Sequence, residues 1–367
     1  MDKKTIGIVT FHTADNYGAV LQAYALQEYI KLHIGHYVEI INFNTSTHEK
    51  EHKLFEDAPD LFRKVIYGLF TIPHIYALRT RAIRFAKFRK SFLDISTRRY
   101  FREIDFLEDI KHYDYYITGS DQVFNPRVKH RKCYYLGFDK KGSKKIAYAP
   151  SFGISKFTDD ESAFIKSMVK DFDKLSCRET VGADYLSKLT GQSVPAVCDP
   201  VFLLSKEEWE KVIVYPPKQE PYIFVYDLLG GRSDIELARK VSESLGGLKI
   251  ICATTRTRIR YKGIKVLRNL GPCELLGYIA NSECVVTDSF HGTSLSYVMG
   301  KKVISYIASK KSSSRILSLT ESIGTQNQVA TKINEFNYNT IQFIDYKPKL
   351  DKFTSDSKNF LQKSLLD

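Results

Sequence analysis

One device recurs along the chain. A short apolar run, rich in β-branched and aromatic residues, stops abruptly in a loop of small and polar ones. TIGIVTF (5–11) runs into HTADNYG, DYYIT (114–118) into GSDQ, and KKIAYA (144–149) into PSFG. YIFVYDL (222–228) runs into LGGR, and CVVTD (284–288) into SFHG. Runs this short and this apolar read as strands covered on both faces. Helical patterns follow them, as in AVLQAYALQEYIKLHIG after the first and SDIELARKVSESLG after LGGR. Strand, loop, helix, strand is the parallel α/β unit.

The device occurs in two sets, separated by the charged, proline-bearing stretch KEEWEKVIVYPPKQEP (206–221). The expected architecture is α/β: two Rossmann-like domains facing a cleft, over residues 1–206 and 207–340. Residues 341–367 read as an amphipathic helix that packs back on the first domain. A basic, aromatic helical insertion is expected near 59–93, interrupted at Pro73. Its charges either face water around a packed apolar stripe or meet an anionic membrane surface.

The 367 residues suffice for two cores, and 43% hydrophobic with 26% charged residues is a globular balance. A net charge of +13 favours acidic partners. No nucleic-acid-binding signature accompanies it, so nucleic acid is not expected. The six cysteines form no CxxC pair, which argues for reduced thiols rather than a zinc cluster or disulfide framework. No run approaches the ~20 apolar residues of a membrane span. The expected location is the cytoplasm, with contact at the inner face of the membrane as an extension.

In open α/β sheets ligands bind beyond the carboxyl ends of the strands. His291 stands there, just past CVVTD at the start of a helix. Ser289, Gly292, Thr293 and Ser294 surround it with hydroxyls and a site of close backbone approach, and a helix start favours an anion. His291 is thus either an acid/base group beside a bound phosphate or carboxylate, or a histidine that only satisfies backbone groups. The other strand-end loops bring Asn16, Tyr17, Gly18, Ser120, Asp121, Gln122 and Ser151 to the same cleft. Asp199, before Pro200, reads as structural at a domain junction.

The pieces GIVTFHTADNYGAVLQAYALQ, ITGSDQVFNP, YYLGF, KKIAYAPSFG, SCRETVG, CDPVFLL and TDSFHGTSLS together resemble the polysaccharide pyruvyl transferase family, in its order and over roughly residues 5–320. The resemblance implies a fold like that of GT-B glycosyltransferases. It implies transfer of a pyruvyl group from phosphoenolpyruvate to two hydroxyls of one sugar, leaving a cyclic ketal and phosphate. The acceptor would belong to a cell-surface glycan such as a capsule or exopolysaccharide, or to its lipid-linked precursor. No cofactor is implied beyond the donor substrate, and no metal if arginines supply the positive charge.

Mapped by motif, His291 is the expected acid/base residue and Arg178, in SCRE, the expected anion ligand; an ion pair with Glu179 or another carboxylate is the alternative for Arg178. Where the family pattern has an arginine two residues before the histidine, this chain has Ser289. Arg256, Arg258 and Arg260 in TRTRIRYK, and Arg315 in KSSSRI, are the expected substitutes. Two other readings remain open: a GT-B glycosyltransferase using a nucleotide sugar, and a non-catalytic glycan-binding relative.

Overall fold

A computed structural model describes residues 3–44, 71–139, 141–228, 233–257, 261–307 and 310–366. Among them are two six-stranded sheets, each with every pairing parallel. The first contains β1 (Thr5–Val9), β2 (Tyr37–Phe43), β3 (Ile95–Tyr100), β4 (Tyr115–Thr118), β5 (Lys144–Ala147) and β6 (Lys174–Leu175), in the order β3-β2-β1-β4-β5-β6. The second contains β7 (Tyr222–Tyr226), β8 (Lys249–Ala253), β9 (Lys265–Leu267), β10 (Cys284–Thr287), β11 (Lys302–Tyr306) and β12 (Val329–Ala330). Its order, β12-β11-β10-β7-β8-β9, is the same winding read from the other edge. Both sheets therefore follow the dinucleotide-fold order, whose ligand crevice opens where the winding reverses. Those points lie between β1 and β4 and between β7 and β10.

The strands at these points are the most apolar. All residues of β4, β7 and β10 are buried, as are four of the five in β1. The expected strand runs follow from this, because helices cover both faces of each sheet. β3, ISTRRY, lacks such a run: its edge position leaves two of its six residues exposed, and it has no apolar block.

Helix α1 (Tyr17–Tyr29) follows β1 and ends through a π turn, Ile30–Ile34. Gly35 stops it at φ 82°, a conformation glycine adopts without a Cβ penalty, and its N–H donates to the Ile30 carbonyl. Helix α2 (Ile75–Phe92) is the described part of the basic insertion; Pro73 sits in the short turn before it, and residues 59–70 lie outside the described residues. α2 bridges the two halves. Arg84 pairs with Glu274 at 3.0 Å and donates to the Asn269 carbonyl at 2.8 Å, while Arg89 reaches Asp15 at 2.9 Å. Several of the insertion's charges are thus spent on internal contacts rather than on solvent.

The core runs through both halves. Ile8, Tyr24, Trp209, Tyr222, Leu276 and Leu295 belong to one packed cluster, and a separate cluster backs the outer face of each sheet. The last helix, α3 (Lys347–Leu366), closes the junction from behind: Ser357 Oγ accepts from the Cys198 N–H at 2.8 Å, and Gln362 donates to the Tyr29 hydroxyl at 3.2 Å. No helix among the described residues is long and apolar enough to cross a membrane. None of the six cysteines is in a disulfide.

Trp209, the chain's one tryptophan, is fully buried, packs on Tyr24 with ring centroids 5.5 Å apart and donates its indole N–H to the Val201 carbonyl at 3.0 Å. Trp209→Ala should cost about 3–5 kcal/mol of stability, read as an earlier chemical-denaturation midpoint by circular dichroism. A loss below about 1 kcal/mol would mean that the junction is not packed through this side chain.

Candidate active site

A cleft of about 620 Å³ opens where the two winding reversals face each other. From the loop after β1 it takes Thr10, Phe11, His12, Thr13 and Asn16, and from the loop after β4, Asp121 and Gln122. The second half supplies Leu228 after β7, then Asp288, Ser289, Phe290 and His291 after β10. Arg315 enters from a helix over Lys310–Ile323, and Lys129 with Tyr134 from the first half. Phe11, Phe43, Val128, Tyr134 and Leu228 give the cleft an apolar side.

Two helix starts point into it. Asn16 caps α1, its side-chain oxygen accepting from the Ala19 N–H at 3.2 Å. Ser289 caps the helix Phe290–Val298, here α4, accepting from the Gly292 N–H at 3.3 Å. Helix starts carry partial positive charge, so the cleft is prepared for an anion at two points.

His291 lies between the halves. A Cβ on Gly18 would stand 2.0 Å from its Nδ1, so α1 must offer a glycine for the ring to fit. Its Nε2 is 3.4 Å from Oδ2 of Asp199, an ion-pair distance that falls short of hydrogen-bond geometry. The same Oδ2 accepts from Arg178 Nη1 at 2.7 Å and from Ser120 Oγ at 3.0 Å. Burial alone would push Asp199 up; His291, Arg178 and the Val201 N–H together hold it well below the ordinary carboxylate range. Asp199 is therefore a buried anion shared by His291 and Arg178. It orients the ring from the Nε2 side, while no hydrogen bond among the described residues engages Nδ1. Sequence reading took Asp199 for a junction residue; the CDP motif carries no local sign that its carboxylate meets a histidine of the other half.

Arg178 does not line this cleft. Its guanidinium is buried behind Phe290, 4.5 Å from the ring, and is held by Asp199, Ser120 and, at 3.8 Å, Glu179. Arg178 thus makes the ion pair that was its alternative reading, with its Nε and Nη2 left without a hydrogen-bond partner among the described residues. Arg315 does line the cleft, its guanidinium 6.0 Å from the centre of the Phe290 ring. Burial first, and then the nearby Arg178, hold Arg315 below the ordinary arginine range, a penalty that a bound anion would relieve.

Of the other expected residues, Asn16, Asp121, Gln122 and Ser289 line the cleft with His291. Tyr17 is buried, donating to the Leu270 carbonyl across the halves at 2.7 Å. Ser120 stands behind the cleft on Asp199, and Ser151 donates to Glu179. Gly292 packs on the strands, where a Cβ would meet Thr287 Oγ1 at 2.6 Å. The hydroxyls of Thr293 and Ser294 are fully buried and donate to the Ser289 and Phe290 carbonyls of their own helix, so neither is offered to a ligand. Arg256 is exposed and does not line the cleft; Arg258 and Arg260 lie outside the described residues. His12 and Lys129, in the cleft wall, were not anticipated. His12 is a polar residue at a strand end, the same signal that singled out its neighbours, and Lys129 follows the GSDQVFNP motif.

With this geometry in place, the comparisons decide the family. The family model "polysaccharide pyruvyl transferase" matches residues 16–310. The chain belongs to that family. No curated protein matches it. Among solved structures, a UDP-GlcNAc 2-epimerase from Neisseria meningitidis bound to UDP-GlcNAc aligns at TM-score 0.51 and 9% identity, over 99% of each chain. A protein described as a UDP-N-acetylglucosamine 2-epimerase from Listeria monocytogenes aligns at TM-score 0.50 and 10% identity, over 96% of this chain and 91% of its own. At such identity the likeness is one of fold. Two Rossmann-like domains of GT-B type form this member of the family.

Asp121 holds φ 75° and ψ −175°, a region used almost only by glycine. The neighbouring structure holds it there: its carbonyl accepts from the N–H groups of Ser151 and Val123, and its carboxylate accepts from the Gln122 N–H at 2.8 Å. Strain kept at a cleft residue points to use of its side chain. Asp121→Gly should match or exceed wild-type stability, by up to about 1 kcal/mol, while ligand response or turnover falls. A variant that is less stable and fully active would show the carboxylate to be structural.

Proposed function

We propose that this family member transfers the pyruvyl group of phosphoenolpyruvate to two hydroxyls of a sugar in a cell-surface polysaccharide or its precursor, forming a cyclic ketal. The observation that carries the reading is His291, seated between two helix starts with Asp199 behind it and Arg315 beside it. Phosphoenolpyruvate carries a phosphate and a carboxylate. Arg315, Lys129 and the two helix starts suit these groups, and a guanidinium can grip an oxyanion with two N–H groups. Phe11, Phe43 and Tyr134 suit the apolar face of a sugar ring.

In this mechanism protonated His291 gives its proton to C3 of the enol as the first sugar hydroxyl bonds to C2. The proton lost by that hydroxyl returns to His291. The C2–O bond to phosphate then breaks, the second hydroxyl closes the ketal, and its proton leaves with the phosphate. Asp199 stabilises the imidazolium without touching the reacting atoms and is a positioning residue. Arg178 acts one step further back, holding Asp199 ionised.

The test is thermal stabilisation of the full chain by phosphoenolpyruvate, UDP and inorganic phosphate. Phosphoenolpyruvate should raise the midpoint, and Arg315→Ala should abolish the rise. His291→Gln should keep the rise but lose phosphate release, with a sugar acceptor supplied, by about 10²-fold or more. Stabilisation by UDP alone would replace this reading with glycosyl transfer.

We propose further that a lipid-linked acceptor brings the protein to an anionic membrane. The outward face of α2 supports this, with Tyr76 and Ile83 exposed among the exposed cations Arg79, Lys87 and Lys90. The protein should co-sediment with phosphatidylserine vesicles, less so in high salt and less so when Arg79, Lys87 and Lys90 are all changed to alanine. Equal recovery on neutral vesicles would reject the electrostatic contact.

A further inference from the structure

Three carboxylates meet behind the cleft wall of the second half. Asp227 follows β7, Asp288 follows β10, and Asp234 stands in the first turn of the helix Ser233–Ser244. One oxygen from each lies within 4.8 Å of the others, and all three residues are buried. Oxygens that share one cation stand about 3 Å apart in cis and about 4–5 Å apart in trans, given metal–oxygen bonds of about 2.0–2.6 Å. Three oxygens within 4.8 Å of one another can therefore share one hard-cation coordination shell.

A second observation comes from Asp234. It is 1% exposed, and neither of its carboxylate oxygens accepts a hydrogen bond from a donor among the described residues. Asp227 and Asp288 are oriented by donors, the Tyr261 hydroxyl at 3.0 Å and the Leu228 N–H at 2.9 Å. Such bonds aim metal-binding carboxylates, as outer partners do in established sites. Asp234 is instead aimed at its two neighbours, where a buried carboxylate without a donor is costly unless something positive joins it.

We propose that Asp227, Asp234 and Asp288 bind one divalent cation of the oxygen-preferring class: magnesium, calcium or manganese. The proposal departs from the sequence-based expectation of no metal. It is independent of the donor assigned above, because none of the three carboxylates has a part in that reading. Asp288 lies next to Ser289, which caps the helix carrying His291, and it also lines the cleft. The cation would tie the ends of β7 and β10 together beneath that helix start. The competing way to neutralise the cluster is a proton: burial, then Asp288 and Asp227, push Asp234 up to about 9.

The experiment uses the full chain, stripped with chelator and dialysed. Bound manganese is counted by electron paramagnetic resonance, and the thermal midpoint is followed with magnesium, calcium and manganese. Terbium emission sensitised by Tyr261 reports the location. One manganese per chain, a saturable rise in midpoint and sensitised terbium emission are expected. Asp234→Asn should fold, equal or exceed the stripped wild type in stability, and lower manganese affinity at least about tenfold. If that variant does not fold, Asp227→Asn carries the same comparison. No bound manganese in the wild type, or wild-type affinity in the folded variant, would overturn the site and leave a shared proton as its neutraliser.

Discussion

The contact on which the arrangement depends is the one between His291 and its two neighbours, Gly18 and Asp199. The histidine comes from the second half, and the glycine and aspartate come from before the start of the second sheet. Where Gly18 would carry a Cβ, the imidazole already stands. Where the ring ends, a buried carboxylate held by Arg178 and Ser120 begins. A histidine gripped this way cannot drift with one half alone. Its position measures the relative placement of the two sheets, so any chemistry at Nδ1 is tied to closure of the cleft. Removing Asp199 would leave Arg178 and His291 without a shared counter-charge in a buried place, which explains why this carboxylate is ionised despite complete burial.

The duplicate winding explains why the site forms there. Each sheet reverses its strand order once on the same plan, and each reversal splays two loops apart at the carboxyl ends of adjacent strands. Set face to face, the two crevices become one cleft with two helix starts aimed into it. The packing that fixes this is continuous, because residues of both sheets share one apolar cluster and both α2 and α3 cross the junction. The basic insertion is part of that fastening: Arg84 binds Glu274 of the second half and Arg89 binds Asp15 of the first, while Tyr76, Arg79 and Ile83 stay exposed.

Much of this was legible from residue order. Strand ends are marked by an abrupt change from apolar to small and polar residues, so the loops holding Asn16, Asp121 and His291 could be placed at one cleft before any coordinates. Side-chain direction was not legible. Thr293 and Ser294 sit one and two residues past Gly292 in a motif that looks ready for a ligand, yet helix geometry turns both hydroxyls back to carbonyls four residues earlier. Nor was long-range pairing. Arg178 and Asp199 each offered only a charge and a turn in sequence; that they meet, and that His291 completes the chain, follows from the crossing of the two halves. The acidic triad escaped for the same reason, since its members lie at three separate element ends.

Ser289 shows how local and distant needs divide one position. The resemblance implies an arginine two residues before the histidine in some members, and a serine there brings no charge to the cleft. What the serine supplies instead is a cap: its oxygen takes the Gly292 N–H and starts the helix that carries His291. A cap of this kind is worth about 1 kcal/mol. The missing full charge has a counterpart in Arg315, which reaches the cleft from another helix beside the Phe290 ring, with Arg178 beyond it. Two guanidiniums so near one another repel, and Asp199 and Glu179 stand in ion-pair range of Arg178. Burial and Arg178 both disfavour the charge on Arg315, and an incoming anion would offset them. In this chain the guanidinium that lines the cleft comes from another helix, and the histidine's own helix brings the histidine and its cap.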